Sequence, residues 1–280
     1  MPASQPRLAF HDGHTIPQAG FGLWQVPHDV AAASVAAAAR AGFRLFDGAA
    51  AYNNEDGMGR GLRDSGLARG DYFVTTKVWN DHHGFDRTMK SAEASLGRLG
   101  LDHVDLLLIH WPCPKDDLYV DTWRAFIRLR DEGRATSIGV SNFDAQQIDR
   151  LVAETGVAPV LNQVEINPRM QQHPLQAEMD ARGIVTQAWT PLGNGLSFDA
   201  APVQAVAARL GITPAQAILR WHLQRGLSVL SRSVNPGRIA ENFHALDAGP
   251  LSGDEMAAMV ALDERSRTGP NPAAISAPVR

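Results

Sequence analysis

The sequence is poor in cysteine and in long apolar runs. Cys113 is the single cysteine among 280 residues, which excludes an intramolecular disulfide framework and a cysteine metal site within one chain. No stretch approaches the about 18 uninterrupted apolar residues of a membrane-spanning helix, and the first residues lack the apolar core of a secretory signal. We therefore predict a cytoplasmic protein in a reducing compartment.

Runs of one charge are also missing. The chain has 26 basic and 30 acidic residues, a formal net charge of -4, and no block of like charges. Such a balance indicates neither nucleic acid nor a membrane surface as a partner. We expect a small-molecule substrate and a monomeric protein.

Several common site motifs are absent. Neither G-x-G-x-x-G nor G-x-x-x-x-G-K-[ST] occurs, and the segment "GMGRGL" has the wrong spacing for a dinucleotide fingerprint. Ser141 in "GVSNF" lacks the second glycine of a hydrolase nucleophile elbow. His82 and His83 are adjacent, an awkward spacing for two ligands of one metal, so no metal site is expected. Cys113, flanked by prolines, is interpreted as a small packing residue.

The chain does contain a regular alternation of short apolar runs with helical segments such as "DVAAASVAAAARA" and "YVDTWRAFIRLRDEG". Eight strands alternating with helices in about this length are typical of a (β/α)8 TIM barrel, so we predict an α/β barrel forming one domain over residues 1–280. The eight runs are "AGFGLW" from Ala19, "FRLF" from Phe43, "YFVTT" from Tyr72, "VDLLLI" from Val104, "TSIGV" from Thr136, "VLNQVE" from Val160, "IVTQAW" from Ile184 and "LSVL" from Leu227.

The two ends of the chain lie outside this alternation. Asp12-Gly13 separates two short extended segments, which predicts a β-hairpin with a two-residue turn that covers the barrel floor. The polar, proline-bearing tail from Ser266 predicts an irregular C-terminal arm.

Polar residues end most of the apolar runs. In parallel barrels the carboxyl ends of all strands meet at one mouth, where the chemistry lies. We therefore expect an acid, an amine, an imidazole and amides to converge there, with the phenol of Tyr52 five residues beyond the acid. The residues at successive strand ends are Asp47, Lys77, His110, Ser141 with Asn142, Gln163 with Glu165, Trp189 and Arg232.

The eighth strand end predicts an anion site. In "SRSVNPGRIAENF", Asn235 is a good N-cap and Pro236 suits the first helical position. The free N–H groups of that helix would face the mouth. Arg232 and Arg238 add two guanidiniums and Ser233 a hydroxyl around a phosphate-sized space.

Seven segments together resemble the aldo-keto reductases, in particular the short bacterial branch that includes the 2,5-diketo-gluconic acid reductases. These segments cover nearly the whole chain. They are "GFRLFDGAAAYNNE", "FVTTKVWND", "VDLLLIHWP", "SIGVSNF", "LNQVEINP", "WTPLG" and "SVNPGRIAEN".

The resemblance implies a (β/α)8 carbonyl reductase that uses NADPH, with NADH weaker, on aldehydes, α-dicarbonyls or keto-sugars. It implies a catalytic tetrad of Asp47, Tyr52, Lys77 and His110. It also implies a cofactor site in which Ser141, Asn142 and Gln163 hold the nicotinamide amide and Trp189 stacks on its ring. The remaining cofactor residues are Leu192, Gly193, Arg232, Ser233, Val234, Asn235, Arg238, Glu241 and Asn242.

The chemistry of such a tetrad explains the choice of residues. Charge growing on a carbonyl oxygen needs a proton donor, for which Tyr52 is the candidate. Lys77 is expected to lower the pKa of Tyr52, Asp47 to hold Lys77, and neutral His110 to orient the carbonyl. Trp24, Trp79 and Trp111 are expected to wall an apolar substrate pocket above the nicotinamide.

Two residues near the tyrosine depart from the family pattern. Gly48 stands where Thr is usual, which removes a hydroxyl, and Asn53 stands where Gly is common. Asn tolerates positive φ, so we expect the loop to keep its shape. Two other functions stay open at this point: a nucleotide-binding barrel without turnover, and a non-redox enzyme that uses Lys77 as an amine nucleophile.

Overall fold

The computed structural model describes residues 5–277, and its centre is a closed barrel of parallel strands. Successive strands pair in chain order, and the last strand pairs with the first, for example Val229 with Ala19. The predicted barrel is therefore confirmed. Its strands are β3 (Ala19–Gly22), β4 (Leu45–Asp47), β5 (Phe73–Val78), β6 (Val104–Ile109), β7 (Ala135–Ser141), β8 (Leu161–Glu165), β9 (Val185–Trp189) and β10 (Ser228–Ser231).

Helices surround this barrel and follow the predicted segments. The alanine-rich segment singled out from the sequence forms α1, and the segment that contains Trp123 forms α4. None of the described helices is both long and apolar enough for a membrane span. The helices are α1 (His28–Ala41), α2 (Glu55–Asp64), α3 (Phe85–Leu99), α4 (Tyr119–Asp131), α5 (Ala145–Thr155), α6 (His173–Ala181), α7 (Ala201–Leu210), α8 (Pro214–Gln224), α9 (Pro236–Phe243) and α10 (Gly253–Val260).

The N-terminal hairpin closes the amino-terminal end of the barrel. Its strands, β1 (Arg7–Ala9) and β2 (Thr15–Pro17), pair antiparallel. Phe10 and Ile16 pack with leucines from the barrel strands in one buried cluster. Asp12 Oδ2 accepts a hydrogen bond of 2.7 Å from Ser137 Oγ of β7. The hairpin therefore covers the floor of the barrel, as the sequence predicts.

The predicted two-residue turn of this hairpin is wrong. Phe10 N donates to His14 O at 2.8 Å, so three residues, 11–13, form the loop. Gly13 ends the loop with a φ of 90°, which suits the longer hairpin loop with glycine in its last position. The Asp-Gly pair predicts a turn correctly, but the loop length depends on the pairing register.

The two ends of the barrel therefore differ in accessibility. The hairpin covers the amino-terminal end, and the carboxyl ends of the strands open into a cavity. Beyond α10 the chain continues as an irregular arm with one turn of 3-10 helix at Pro272–Ala274. That arm confirms the expectation for the C-terminal tail and leads the chain back across the mouth.

Candidate active site

A cavity of about 1490 Å³ lies at the carboxyl ends of the strands, larger than the roughly 300–1,000 Å³ of ordinary small-molecule sites. The structure brings most of the sequence-predicted site residues to its wall. These are Trp24, Asp47, Tyr52, Trp79, His110, Trp111, Ser141, Asn142, Gln163, Trp189, Leu192, Arg232, Ser233, Val234, Asn235, Arg238, Glu241 and Asn242. Lys77 lies just beneath this wall, fully buried.

The deepest polar contact is the ion pair between Lys77 Nζ and Asp47 Oδ1. Lys77 Nζ also donates to Gly48 O at 2.9 Å, and its distance to Tyr52 Oη is 3.5 Å. Asp47 Oδ2 accepts a 2.8 Å bond from Gln163 Nε2. Burial lowers the pKa of Lys77, and Asp47 opposes that shift. Burial likewise raises the pKa of Asp47, and Lys77 opposes that shift. Each of the two residues therefore stabilises the charged form of the other.

Tyr52 stands on a short 3-10 turn between β4 and α2. Burial, followed by the negative charge of Asp47, raises the pKa of Tyr52 well above its ordinary value. A pKa below the ordinary value, which the sequence predicts for Tyr52, is therefore not found, because burial and Asp47 outweigh the attraction between Lys77 and the phenolate. Asp47 already compensates the lysine charge, and loss of water disfavours the phenolate. The phenol is consequently a protonated hydrogen-bond donor.

His110 follows β6 and packs edge-on against Tyr52, with a distance of 5.5 Å between ring centroids. Burial, then the charge of Lys77, lowers the pKa of His110 well below its ordinary value. The imidazole is therefore neutral, as the sequence predicts. Trp79 packs against His110 at 4.9 Å between centroids, and Trp111 stacks on it at 6.3 Å. These rings form an apolar wall beside the phenol.

A connected set of polar side chains also lines the cavity. Ser141 Oγ donates to Gln163 O at 2.8 Å, and Asn142 Nδ2 donates to Ser141 Oγ at 3.0 Å. Trp189 Nε1 donates to Asn142 Oδ1 at 2.9 Å. Asn142 has a φ of 65°, a conformation that Asn adopts more readily than most residues. The network fixes these side chains before any ligand arrives.

The end of β10 and the start of α9 form the positive part of the cavity. Asn235 caps the helix through a 3.1 Å bond from Arg238 N to its Oδ1, and Pro236 is the first helical residue. Both positions confirm the sequence prediction. Arg232 Nη2 donates to Gln25 Oε1 at 3.0 Å. Neither Arg232 nor Arg238 has an acidic partner within residues 5–277, so both charges are available to an anion.

Gly193 lies directly behind the cavity wall. It is not among the lining residues, although its neighbours Leu192 and Asn194 are. Gly193 is buried with a φ of 54°, and a Cβ there would lie 3.1 Å from Asn167. Its backbone conformation shapes the loop, while Leu192 supplies the cavity surface.

The two unusual residues beside Tyr52 have structural explanations. Asn53 adopts a φ of 54°, the left-handed conformation expected of it. A Cβ at Gly48 would lie 2.9 Å from Met58 Sδ, so the volume that a Thr side chain would need is partly filled by Met58. Gly48 still contributes its carbonyl oxygen to Lys77.

Residues of the C-terminal arm also line the cavity, and the sequence analysis assigned them no role there. Gly269, Pro270 and Ile275 contribute to its wall. Glu165 at the end of β8 holds Thr268 and Gly269 through hydrogen bonds to its carboxylate. The strand-end rule points to Glu165, but its partners are about a hundred residues away and have no motif of their own.

Comparison with known proteins places this site in a family. Residues 18–264 match the aldo/keto reductase family. The chain is similar to an aldo-keto reductase of Mycolicibacterium smegmatis, with 45% identity over 95% of this chain and 97% of that protein. It is also similar to the methylglyoxal reductase DkgA of Escherichia coli, with 43% identity over 95% of this chain and 96% of DkgA.

Solved structures give the same result. The crystal structure of Gox0644 in the apo form has a TM-score of 0.92 and 42% identity, over 96% of this chain and 97% of that one. A variant of Gox0644 in complex with NADPH has a TM-score of 0.93 and 41% identity, over 97% of this chain and 99% of that one. The chain belongs to the aldo/keto reductase family.

Proposed function

We propose that this protein reduces aldehyde and ketone groups of small molecules to alcohols with NADPH, and that Tyr52 is the general acid. The observation that carries the proposal is the contact of Lys77 with both Asp47 and Tyr52, next to the neutral ring of His110, in one cavity. As an aldo/keto reductase, the chain is an NADP-dependent oxidoreductase.

The residues present fit NADPH. Among the described residues 5–277, Arg232 and Arg238 have no acidic partner, and they lie where the free N–H groups of α9 begin, which suits the 2'-phosphate. Ser141, Asn142 and Gln163 would hold the nicotinamide amide, and Trp189 would lie against its ring. When bound, NADPH supplies the hydride.

The chain's own residues then supply the proton. Tyr52 donates it from the phenol to the carbonyl oxygen, and Lys77, 3.5 Å from that phenol, stabilises the phenolate left behind. Neutral His110 donates a second hydrogen bond that orients the carbonyl. Trp24, Trp79 and Trp111 exclude water from the apolar side of the pocket.

The names of the relatives support the proposed substrate class. DkgA is named a methylglyoxal reductase, so we propose α-dicarbonyls first, with simple aldehydes and keto-sugars as further substrates. The cavity of about 1490 Å³ would hold the cofactor together with such a substrate. We also propose a single domain over residues 1–280, a monomer, and a cytoplasmic location that fits the single cysteine.

The two other functions are less compatible with the site. Lys77 is fully buried and bound to Asp47 and Gly48, so it does not present a free amine to a substrate. A barrel that only binds nucleotide would not explain why a buried, charged lysine lies 3.5 Å from the phenol of Tyr52.

The test is NADPH oxidation by the wild-type protein with methylglyoxal, simple aldehydes and keto-sugars. We expect Tyr52→Phe to bind NADPH but to lose reduction by at least about 10²-fold, because a general acid contributes roughly that factor. Tyr72→Phe is the matched control, since Tyr72 lies outside the cavity wall. Wild-type turnover in Tyr52→Phe would refute the role of the phenol, and NADPH binding without any oxidation would favour the nucleotide-binding module.

A further inference from the structure

The C-terminal strap, residues 263–277, is fixed at both sides of the cavity mouth. Near its start, Glu264 N and Ser266 N donate to Arg169 O at 3.1 and 3.0 Å. Near its end, Ala277 N donates to Asp116 Oδ2 at 2.7 Å. The strap therefore runs from the loop after β8 to the loop after β6, over the cavity.

Glu165 provides the strongest attachment of this strap. Its side chain is fully buried. Oε1 accepts bonds from Thr268 N at 2.6 Å, Thr268 Oγ1 at 2.7 Å and Gly269 N at 3.3 Å. Arg267 Nη1 lies 3.8 Å from Oε2. A buried carboxylate is costly unless its oxygens are bonded, so Glu165 and residues 267–269 hold one another in place.

Gly269 brings the strap into contact with Trp189. A Cβ at Gly269 would lie 2.4 Å from Trp189 Cη2 and 3.1 Å from Cζ3. The φ of Gly269 is outside the left-handed region, so the close approach to the ring, rather than the backbone conformation, requires glycine. Trp189 Nε1 is bound to Asn142 Oδ1 at the other edge of the ring. The indole is thus held from both edges.

We propose that Glu165 is a positioning residue that acts through Thr268 and Gly269 on the ring of Trp189. The inference rests on the proposed function, in which Trp189 lies against the nicotinamide. Glu165 and Trp189 are register partners on neighbouring strands, so the anchor and the ring it positions share one rigid part of the barrel. The strap and the cofactor therefore meet at the same side chain, and a change in one alters the affinity for the other.

The decisive experiment is a double-mutant cycle between Gly269→Ala and Trp189→Ala. We expect Gly269→Ala to weaken NADPH binding about three- to tenfold, the range of an aromatic ring contact, with little change in kcat at saturating NADPH. In the Trp189→Ala background the same methyl group has no ring to displace, so it should have no further effect. Gly97→Ala is the matched control, because a Cβ there meets no atom within 4 Å.

A second readout does not need NADPH. The near-ultraviolet circular dichroism of the free protein should change with Gly269→Ala and with Glu165→Gln, and neither substitution should change it further once Trp189 is Ala. Equal effects of Gly269→Ala with and without Trp189 would overturn the inference. If wild type fails to bind NADPH, the proposed function falls, while the circular dichroism cycle still tests the contact.

Discussion

At the scale of single residues, the chemistry depends on the buried ion pair of Lys77 with Asp47 and on the phenol of Tyr52 beside it. Burial and the carboxylate of Asp47 keep the phenol of Tyr52 protonated, and Lys77 lies 3.5 Å away. A phenol that must release its proton to a carbonyl oxygen needs a cation beside the resulting phenolate. Lys77 can meet that need only while Asp47 holds it in position.

We therefore expect Lys77→Met to lose carbonyl reduction by about 10²-fold or more, because the phenolate would be formed next to Asp47 without a compensating cation. The pKa of Tyr52 should rise further, and the alkaline limb of any remaining activity should move to higher pH. Steady-state rates as a function of pH measure both effects. Lys115→Met, at an exposed lysine that does not line the cavity, is the control, and an unchanged profile in Lys77→Met would make Lys77 purely structural.

The identities of these residues can be predicted from the sequence, but their electrostatics cannot. Asp47, Lys77 and His110 each end an apolar run, and this alone brings them to one mouth. The direction of the pKa shift of Tyr52 depends on burial and on the pairing of Lys77 with Asp47, which are properties of the folded site. The neighbouring charge of Lys77 alone predicts a lowered pKa for Tyr52, whereas the folded site raises that pKa.

At the scale of elements, α9 combines a helix start with two arginines. The bond from Arg238 N to Asn235 Oδ1 sets where the helix begins, and the arginine side chains then flank its free N–H groups. Arg232 is oriented by Gln25 from the segment after β3. In the proposed function, this arrangement offers two charge-assisted contacts to the 2'-phosphate of NADPH.

We expect NADPH to be preferred over NADH, and the pair Arg232→Ala with Arg238→Ala to raise the KM for NADPH strongly while nearly sparing that for NADH. A charge-assisted hydrogen bond contributes about 1.5–3 kcal/mol, or roughly tenfold or more in affinity. The kcat/KM ratio of the two cofactors is the measurement, and salt should reduce the preference because the contacts are exposed.

A matched variant removes the same number of charges elsewhere. Arg128→Ala with Arg130→Ala on α4 leaves the cavity untouched and should keep the wild-type preference. Equal losses for NADPH and NADH in the α9 variant would mean that these arginines support the fold or the shared pyrophosphate. A wild-type preference for NADH would refute the phosphate site.

Elements whose ends carry a local sequence signal, such as a helix cap, are predicted well. Contacts between segments that are distant in the sequence are not. Asn235 and Pro236 can be recognised as a helix start from these two neighbouring residues alone, and α9 begins at Pro236. The hairpin loop is misjudged by one residue because its length depends on which residues pair. The strap is recognised only as an irregular tail, since Thr268 and its partner Glu165 are 103 positions apart and nothing in the tail's composition specifies that partner.

At the scale of the whole molecule, buried histidines link stability to pH. His222 is fully buried, and its Nε2 lies 3.0 Å from Pro191 O in the cavity loop. Burial lowers the pKa of His222 to about 3, and burial lowers that of His83 to about 4. In the unfolded chain both titrate near pH 6.5. Their contribution is therefore present above pH 6.5 and is lost as the pH falls toward 4 and 3.

We expect the free energy of unfolding to fall between pH 7 and pH 4.5, and His222→Gln to reduce that fall by about 3 kcal/mol, at about 1.4 kcal/mol for each pH unit below 6.5. Urea denaturation at the two pH values measures this difference. His14→Gln, at an exposed histidine, is the control. Its free energy of unfolding should fall by as much as that of the wild type. The same fall in His222→Gln would show that other groups dominate the acid response.

The positions of the hairpin and the strap also determine how the protein can be attached to a surface. Gln18 N donates to Pro6 O beside the floor, whereas Ala277 is tied to Asp116 at the mouth. Residues 6 and 277 therefore lie at opposite ends of the barrel. An immobilisation tag joined before residue 6 leaves the entrance facing the solution, while one joined after residue 277 lies beside the rim of the cavity, where it would slow the entry of large substrates more than that of small ones.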